Sequence, residues 1–395
     1  MKKLCSILIL LAMLCGLLTS CEEGITTNRE EAKIAYSRSS MTETPTRILY
    51  STGGIVFYYN KITGENNVFC FDPLCKHTSL KTCISQKFIL NGTNVTIQYS
   101  EYDNRFYTFR GQKLCSFAFD GSDLKIEYSF AENGDFEDWA YDPFYIAVVK
   151  VIENRVYFIA LDRENGGREL YCFHTETKEM TNLSENIEAK VPAYLEWNGK
   201  LYFQLVGETE SGTYCADLDM QNMEKISDHI GWTSDDPFLN GKFYYVEYDW
   251  NESGEEKVPS YISCVSLTDG SVTRLYELDE PVWHKILAVS EDYVYFIKSE
   301  YRRIGYEIVR DQEKERSNNY SRIYRLDVKS GACEMIFDDI TCKVDAIYFL
   351  ENNKVMILGG YCTVSEGNAD IDEEMFIADV DENGYITNPL VPGGA

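Results

Sequence analysis

The sequence predicts an all-β fold, a seven-bladed β-propeller of four-stranded antiparallel blades, and three observations lead to this prediction. A short apolar and aromatic motif recurs along the chain at intervals of about 40 to 60 residues. Turn signals such as Asn-Gly and Asp-Gly separate runs that are too short for typical helices. The 29 Tyr and 20 Phe residues favour strands, since aromatic rings fit the pleated, half-buried surface of a sheet.

The N-terminus is predicted to be a signal peptide over residues 1–20. Lys2 and Lys3 give it a positive start, and residues 4–18 form an apolar run that is too short for an ordinary membrane span. The run ends in Leu18-Thr19-Ser20-Cys21, which resembles the lipobox of bacterial lipoproteins. In such proteins the cysteine is acylated, for instance with palmitate, and becomes the first mature residue. We therefore expect lipidation of Cys21, with a plain secretory signal as the alternative.

The lipobox also predicts where the protein resides and how it is held. We expect an exported chain on the extracytoplasmic side of the cell membrane or outer membrane, attached by its N-terminal lipid. Residues 21–45 are rich in Glu and lack a sustained apolar period, which predicts a flexible tether. The propeller is expected to occupy residues 46–395, although part of 22–45 could add an edge strand.

The repeat defines the inner strands of the blades. The predicted second strands contain Val56-Phe57-Tyr58, Phe106-Tyr107, Val156-Tyr157-Phe158, Leu201-Tyr202-Phe203, Phe243-Tyr244-Tyr245, Val294-Tyr295-Phe296 and Val355-Met356-Ile357. The predicted third strands are residues 68–71, 114–119, 169–173, 213–218, 261–267, 322–326 and 375–378. Turns such as Asp120-Gly121 and Asp269-Gly270 then lead to each fourth strand.

The need to bury both faces of each sheet supports a closed ring of seven blades. A small four-stranded sheet with apolar residues on both faces cannot cover them alone, whereas neighbouring blades in a ring cover each other. Blade one begins with residues 47–50 and blade seven ends with residues 385–391, so each blade uses contiguous sequence. Six or eight blades are the alternatives, because one interval of the repeat is long.

The 13 cysteines include a set with a common position in the blades. Cys70, Cys115, Cys172, Cys215 and Cys264 all fall on predicted third strands. Equivalent positions in different blades radiate apart and cannot bridge each other. We interpret these cysteines as small buried hydrophobic residues between blades.

Other cysteines are candidates for disulfides, because an exported chain permits them. Cys75 and Cys83 flank a short connection in blade one, and Cys342 and Cys362 lie on two strands joined at Asn352-Asn353. The second pair needs a β-bulge near Gly359-Gly360 to bring both thiols to one face. Cys333 would then be unpaired.

The densest group of metal-ligand types is Cys70-x4-Cys75-x-His77-x5-Cys83. Thiolates and imidazole suit tetrahedral zinc, but the spacing is not that of a standard finger, so a disulfide, reduced thiols and zinc all stay open. Asp379-x-Asp381-x-Asn383-Gly384 copies the first half of a calcium loop, although a hairpin turn explains it better. We therefore expect no cofactor, with zinc or calcium as the minor alternatives.

The segment from Phe69 to Cys83 also carries a family resemblance. Together with the lipobox and the repeats, it resembles uncharacterised bacterial lipoproteins whose propellers are related to those of low-density-lipoprotein-receptor-related proteins. The resemblance implies a surface-exposed propeller with no assigned role. It implies no catalytic residues.

Composition and motifs narrow the function. The formal net charge of −27 would repel a phosphate backbone, which argues against nucleic acid as a partner. The chain lacks Gly-x-Ser-x-Gly, His-Glu-x-x-His and a phosphate loop, so no catalytic residue is predicted. We expect a binding or scaffold module for an envelope protein, a peptide or a glycan. The alternative is a carbohydrate-active hydrolase or lyase that uses carboxylates at the central mouth of the propeller.

One basic segment is the best candidate for contact with a partner. Residues 299–321 are predicted to be an insertion between the second and third strands of blade six. The segment carries basic and aromatic side chains in an otherwise acidic protein, and loops at this position face the same side as the blade connections. The candidate contact residues are Arg302, Arg303, Tyr306, Arg310, Lys314 and Arg316.

Overall fold

The computed structural model describes residues 34–36, 41–52, 55–70, 75, 97–110, 113–130, 144–162, 167–229, 231–250, 257–278, 283–299, 321–339, 343–365 and 368–390. Throughout these ranges the regular elements are β-strands, which confirms the all-β prediction. No helix in the described part of the chain is long and apolar enough to cross a membrane. The strands form seven antiparallel sheets, which are the seven blades of a β-propeller.

The first described strand is β1 (Ile34–Tyr36), and blades one to three follow it in order. Blade one comprises β2 (Met41–Glu43), β3 (Arg47–Thr52), β4 (Ile55–Asn60) and β5 (Asn66–Val68). Blade two comprises β6 (Gln98–Ser100), β7 (Arg105–Arg110), β8 (Lys113–Ala118) and β9 (Lys125–Ser129). Blade three comprises β10 (Phe144–Ile152), β11 (Arg155–Asp162), β12 (Arg168–His174) and β13 (Met180–Asn182).

Blades four to seven repeat the same plan. Blade four comprises β14 (Tyr194–Trp197), β15 (Lys200–Val206), β16 (Ser211–Asp217) and β17 (Glu224–Ser227). Blade five comprises β18 (Phe238–Leu239), β19 (Lys242–Trp250), β20 (Lys257–Ser266) and β21 (Val272–Glu277). Blade six comprises β22 (Trp283–Ser290), β23 (Tyr293–Ser299), β24 (Ser321–Asp327) and β25 (Cys333–Asp339). Blade seven comprises β26 (Lys343–Leu350), β27 (Lys354–Ser365), β28 (Asn368–Val380) and β29 (Ile386–Leu390).

Buried apolar side chains fill the spaces between the blades. Seven clusters of such side chains each join two neighbouring blades. The ring closes where Ile48 and Tyr50 of blade one pack with Ala346 and Met356 of blade seven. Each blade is therefore covered by its neighbours, and it needs no strand exchanged between the first and last blades. The four main strands of every blade are thus contiguous in the sequence, as predicted, although blade six also takes a fifth strand from the N-terminal segment.

The first strand of each blade lies toward the axis of the ring. First strands of neighbouring blades contact each other, as β2 does with β6, β6 with β10, β18 with β22 and β22 with β26. In six of the seven sheets this strand ends the order, so one edge of its backbone faces the axis, whereas in blade six β1 takes that place. An unpaired edge of this kind readily accepts another strand.

The N-terminal strand uses such an edge. β1 pairs antiparallel with β22, with Ile34 opposite Ser290 and Tyr36 opposite Ala288, and so gives blade six a fifth, innermost strand. Both β1 and β2 lie within residues 21–45, for which the sequence predicted a tether, and the propeller starts at Ile34. The early segment therefore adds a strand to an existing blade and not an eighth blade.

The predicted order of strands in blade one was wrong by one strand. Val56-Phe57-Tyr58 lies on the third strand, β4, and the second strand, β3, carries Ile48-Leu49-Tyr50. Both inner strands are covered by a neighbouring blade on each face, so both carry an aliphatic and aromatic pattern. The true first strand, β2, has the sequence Met-Thr-Glu, which gives almost no apolar signal.

The third-strand cysteines follow the prediction with one exception. Cys115, Cys172, Cys215 and Cys264 lie on β8, β12, β16 and β20 and are buried. Burial raises the pKa of the Cys172 thiol to about 11, which keeps it protonated and unreactive. Cys70 was misplaced, since it follows the fourth strand, β5, and is only half-buried.

Candidate functional site

A cavity of about 270 Å³ lies at the axis of the propeller. Its walls come from β1, from the first strands β2, β14, β18 and β26, from the second strands β3 and β19, and from the connection between blades four and five. Its aromatic walls are Tyr36, Phe238, Phe243 and Tyr348, and its carboxylates are Glu43 and Asp236. The remaining walls are Ala35, Met41, Ile48, Leu195 and Ser234. We refer to it as the axial cavity.

Asp236 is a carboxyl group of the axial cavity whose pKa is strongly perturbed. Its Oδ2 accepts a hydrogen bond of 2.6 Å from the backbone N–H of Thr233, which closes a turn just before β18. Burial is the largest effect on this carboxyl and raises its pKa to about 7, although the bonds from Thr233 oppose the shift. The side chain is partly buried and borders the cavity.

Lys285, a cation whose charge acts on the Asp236 carboxyl, is engaged elsewhere. Lys285 lowers the pKa of Asp236 only weakly, and its Nζ donates to the backbone oxygen of Asp345 at 2.9 Å. Within the described ranges no cationic side chain forms an ion pair with Asp236. A carboxylate without a paired cation is costly in a desolvated site, which explains the raised pKa.

Another part of the cavity wall is built around two tyrosines, Tyr36 and Tyr348. The rings of Tyr36 and Tyr348 stack with centroids 4.4 Å apart, and the N–H of Phe349 donates to the Tyr36 hydroxyl at 3.2 Å. Burial raises the pKa of both hydroxyls well above the usual range, and a hydrogen bond with Glu43 adds to the shift at Tyr348. Glu43 also forms an ion pair with Lys61 at 2.9 Å. β1 is thus bound to blade seven as well as to blade six.

A network of side-chain to backbone hydrogen bonds holds the connection that carries Asp236. Trp232 is 1% exposed, stacks on Phe243 at 4.0 Å and donates from Nε1 to Thr213 Oγ1 at 3.1 Å. Its backbone oxygen accepts from Gln204 Nε2 at 2.8 Å. The hydroxyl of Ser234 accepts from the backbone N–H of Tyr194 at 3.0 Å and donates to its oxygen. These contacts fix the cavity wall between blades four and five.

A second polar group lies beside this connection. His229 Nε2 and the Tyr245 hydroxyl are buried and have no hydrogen-bond partner among the described residues, and their rings lie 5.0 Å apart. Burial lowers the pKa of His229, so its imidazole is neutral. A methyl group at Gly231 would lie 2.5 Å from Nε2, which shows that backbone covers this imidazole. We interpret the group as packing between blades four and five.

Glu247 completes that group and is engaged in an ion pair. Arg274 donates to both carboxylate oxygens, at 3.1 Å and 2.6 Å, and Ser263 adds a bond of 2.9 Å. The hydrogen bond with Arg274 is the largest effect that lowers the pKa of Glu247, which therefore stays ionised. A carboxylate held this way has no oxygen free for general acid or base chemistry.

Most of the predicted site residues fall outside the described part of the chain. This applies to the lipidation site Cys21, to His77 and Cys83, to Cys342, and to the whole basic segment of blade six. The strand bounds do place residues 300–320 between the second and third strands of that blade, as predicted. The candidate contacts Arg302, Arg303, Tyr306, Arg310, Lys314 and Arg316 therefore stay predictions.

The candidate disulfides and the zinc group also stay predictions. Cys70 and Cys75 are half-buried, and Cys362 lies on β27 opposite Ile371 of β28. The pairing of β26 with β27 shifts opposite Gly359, between Val344 and Ala346, close to the bulge that we expected. In the described ranges no three His, Cys, Asp or Glu side chains are grouped as metal ligands.

The partial calcium motif is a hairpin turn, as the sequence favoured. Residues 381–385 connect β28 to β29. Asp381 Oδ1 accepts bonds of 2.9 Å from the backbone N–H groups of Asn383 and Tyr385, and Gly384 has a φ of +83°. The carboxylate thus closes the turn, as Asp does in many hairpins.

Sequence reasoning missed the two residues that shape the cavity most. Asp236 lies between blades in Asp235-Asp236-Pro237, a pattern that predicts a turn and nothing more. Tyr36 belongs to Ile34-Ala35-Tyr36, the one short apolar run in the expected tether. Its position in the ring depends on pairing with β22, which is far away in the chain.

Comparisons with known proteins give no family for this chain. No family model matches it, and no curated protein does. Similar solved structures include an oligogalacturonate lyase from Vibrio parahaemolyticus, with 12% identity, a TM-score of 0.49 and coverage of 89% of this chain and 90% of that one. An oligogalacturonate lyase in complex with manganese has 10% identity, a TM-score of 0.49 and coverage of 89% and 91%.

A third similar structure is itself described as a propeller. The β-propeller domain of the Trilobed protease from Pyrococcus furiosus, which has an open velcro topology, shares 11% identity and a TM-score of 0.47. The match covers 87% of this chain and 95% of that domain. Such distant likenesses transfer no activity, substrate or metal, so the function is argued from the residues of the site.

Proposed function

We propose that the protein is a lipid-anchored extracytoplasmic β-propeller that binds its ligand at the axial cavity, as a recognition or scaffold module in the cell envelope. The observation that carries this proposal is the axial cavity itself, with its aromatic and aliphatic walls and few polar groups. Concave sites of this composition favour binding, because apolar walls supply affinity and single polar groups orient the ligand. An envelope protein, a peptide or a glycan can each present a group of that size.

The arrangement of the polar groups supports binding over catalysis. Glu43 is held by Lys61 and Tyr348, and Glu247 is held by Arg274. The hydroxyl of Ser234 is engaged with both backbone groups of Tyr194, which leaves it poorly placed as a nucleophile.

The alternative is a carbohydrate-active hydrolase or lyase, and one observation favours it. Glu43 and Asp236 both border the cavity, and a carboxyl with a pKa of about 7 is suited to proton transfer near neutral pH. Turnover of a polysaccharide, detected as new reducing ends or unsaturated products and lost in Asp236→Asn, would establish this alternative.

Blocking the axial cavity tests the proposed function. Ala35 is the smallest residue of the walls, so Ala35→Trp fills space in the cavity. Molecules bound at the cavity should copurify with the full-length protein from its native envelope. We expect quantitative mass spectrometry to show that the amount of these molecules is at least fivefold lower with the Ala35→Trp variant. Ala332→Trp, in an exposed turn of blade six, is the matched control and should retain them. Equal amounts on both variants would contradict a ligand site in the cavity.

Lipidation is tested separately at Cys21. We expect Cys21→Ala to abolish incorporation of radioactive palmitate and to release the protein from the membrane fraction. Cys15→Ala, which changes a cysteine inside the apolar run, should leave the label in place. Undiminished labelling of the Cys21→Ala protein would refute the anchor.

A further inference from the structure

We propose that the axial cavity selects a ligand that presents an organic cation, a primary or quaternary ammonium group, which would sit between the aromatic walls and the Asp236 carboxylate. This inference rests on the proposed binding function and names the chemistry of the ligand. It concerns a small charged group, such as a lysine side chain or a choline-like headgroup, because the cavity holds only about 270 Å³.

The chemistry of the walls favours a cation. Tyr36 and Tyr348 form one aromatic wall, and Phe238 and Phe243 form another, with the two phenylalanine rings 4.9 Å apart. Aromatic faces attract ammonium groups through the ring quadrupole, and this attraction is strongest where water is excluded. The described residues of the walls include two carboxylates and no Lys, Arg or His. Among these residues an anion would therefore meet two carboxylates and no positive charge.

The second observation is the uncompensated charge of Asp236. Its carboxyl borders the cavity and accepts a hydrogen bond from Thr233, but no described cation forms an ion pair with it. Glu43, in contrast, already has Lys61 as its partner. A bound ammonium group would supply the missing counter-charge at Asp236. The net charge of −27 would also raise the local concentration of cations around the molecule.

The proposal predicts how binding depends on pH. A cation prefers the ionised carboxylate, and burial raises the pKa of Asp236 to about 7. Affinity should therefore be full above pH 8 and fall by about tenfold between pH 8 and pH 6 as Asp236 takes up a proton. The charged or titratable groups that face Asp236 are Asp235, Lys285, Tyr245 and Tyr248, with Glu43, Tyr36 and Tyr348 also bordering the cavity.

The test measures binding of choline chloride and butylammonium chloride to the full-length protein by isothermal titration calorimetry. The neutral isostere of choline, 3,3-dimethylbutan-1-ol, separates charge from shape. We expect the wild type to bind the ammonium probes at least tenfold more tightly than the isostere at pH 8. Asp236→Asn should weaken the binding at least tenfold and remove its pH dependence.

Two further variants keep the result interpretable. Asp236→Asn keeps a side-chain oxygen that can accept the hydrogen bond from Thr233, so the turn is retained. Asp235→Asn changes the same charge at the adjacent, exposed residue and should alter affinity less than twofold. Tyr348→Leu removes an aromatic wall without changing charge and should weaken the ammonium probes more than the isostere.

Some outcomes would overturn the proposal. Equal affinity for choline and its isostere, or unchanged binding in Asp236→Asn, would show that the cavity does not select a cation. If the wild type binds neither ammonium probe while Ala35→Trp still loses copurified molecules, the cation proposal is wrong and the proposed function stands. If both results are negative, both proposals fail.

Discussion

Trp232→Ala is expected to lower the free energy of unfolding by about 4 kcal/mol, which is typical when a large buried aromatic side chain is removed. Trp232 is 1% exposed and stacks on Phe243, so its removal leaves a cavity between blades four and five. The variant also loses the hydrogen bond to Thr213. Urea denaturation followed by circular dichroism measures the change.

Two controls separate packing from the hydrogen bond. Trp232→Phe keeps an aromatic ring against Phe243 but loses the hydrogen bond to Thr213. It should lower the free energy of unfolding by about 1 to 2 kcal/mol. Ile62→Ala, at a side chain that is 77% exposed, should change stability by less than about 0.5 kcal/mol. If Trp232→Ala were no worse than Ile62→Ala, the connection would not hold the two blades together as described.

Gly212→Ala is expected to lower the free energy of unfolding by about 3 kcal/mol, because the backbone conformation at this position suits only glycine. Its φ is +144°, and an added Cβ would lie 2.4 Å from the backbone oxygen of Ser227. β16 therefore approaches β17 more closely than any side chain allows, just before the connection that carries Trp232 and Asp236. The melting temperature and the urea midpoint should both fall.

Gly331→Ala is the matched control for this substitution. Gly331 also has a positive φ, +72°, but nothing lies within 4 Å of an added Cβ. Gly331→Ala should lower the free energy of unfolding by only about 1 kcal/mol, which is the strain of an alanine in the left-handed conformation. Similar losses for both variants would show that the close approach of β17 contributes little at Gly212.

The sequence predicted the architecture well because the repeat is local. Inner strands covered on both faces must be apolar and aromatic, so each blade repeats the same pattern and the same turns. The order of strands predicted from this pattern was wrong in blade one, because β3 and β4 carry similar apolar and aromatic patterns and β2 carries no such pattern. It also failed for Cys70, whose assignment depended on that order of strands.

The axial cavity could not be predicted in the same way. Its walls come from residues as far apart in the chain as Tyr36 and Tyr348, which stack across the junction of two blades. Asp236 gives only a turn signal in the sequence, and its high pKa comes from burial in the closed ring. Neither the stacking of the two tyrosines nor the burial of Asp236 leaves a periodic pattern or a motif in the sequence.

The amino-acid sequence by itself therefore determined the repeated blade, the buried third-strand cysteines and the hairpin turns, because each of these depends on residues close together in the chain. The tertiary structure alone decided that Ile34–Tyr36 would line the axis and that Asp236 would border a cavity with no paired cation among the described side chains. The physical reason is that ring closure joins distant segments, and desolvation acts only once they have met.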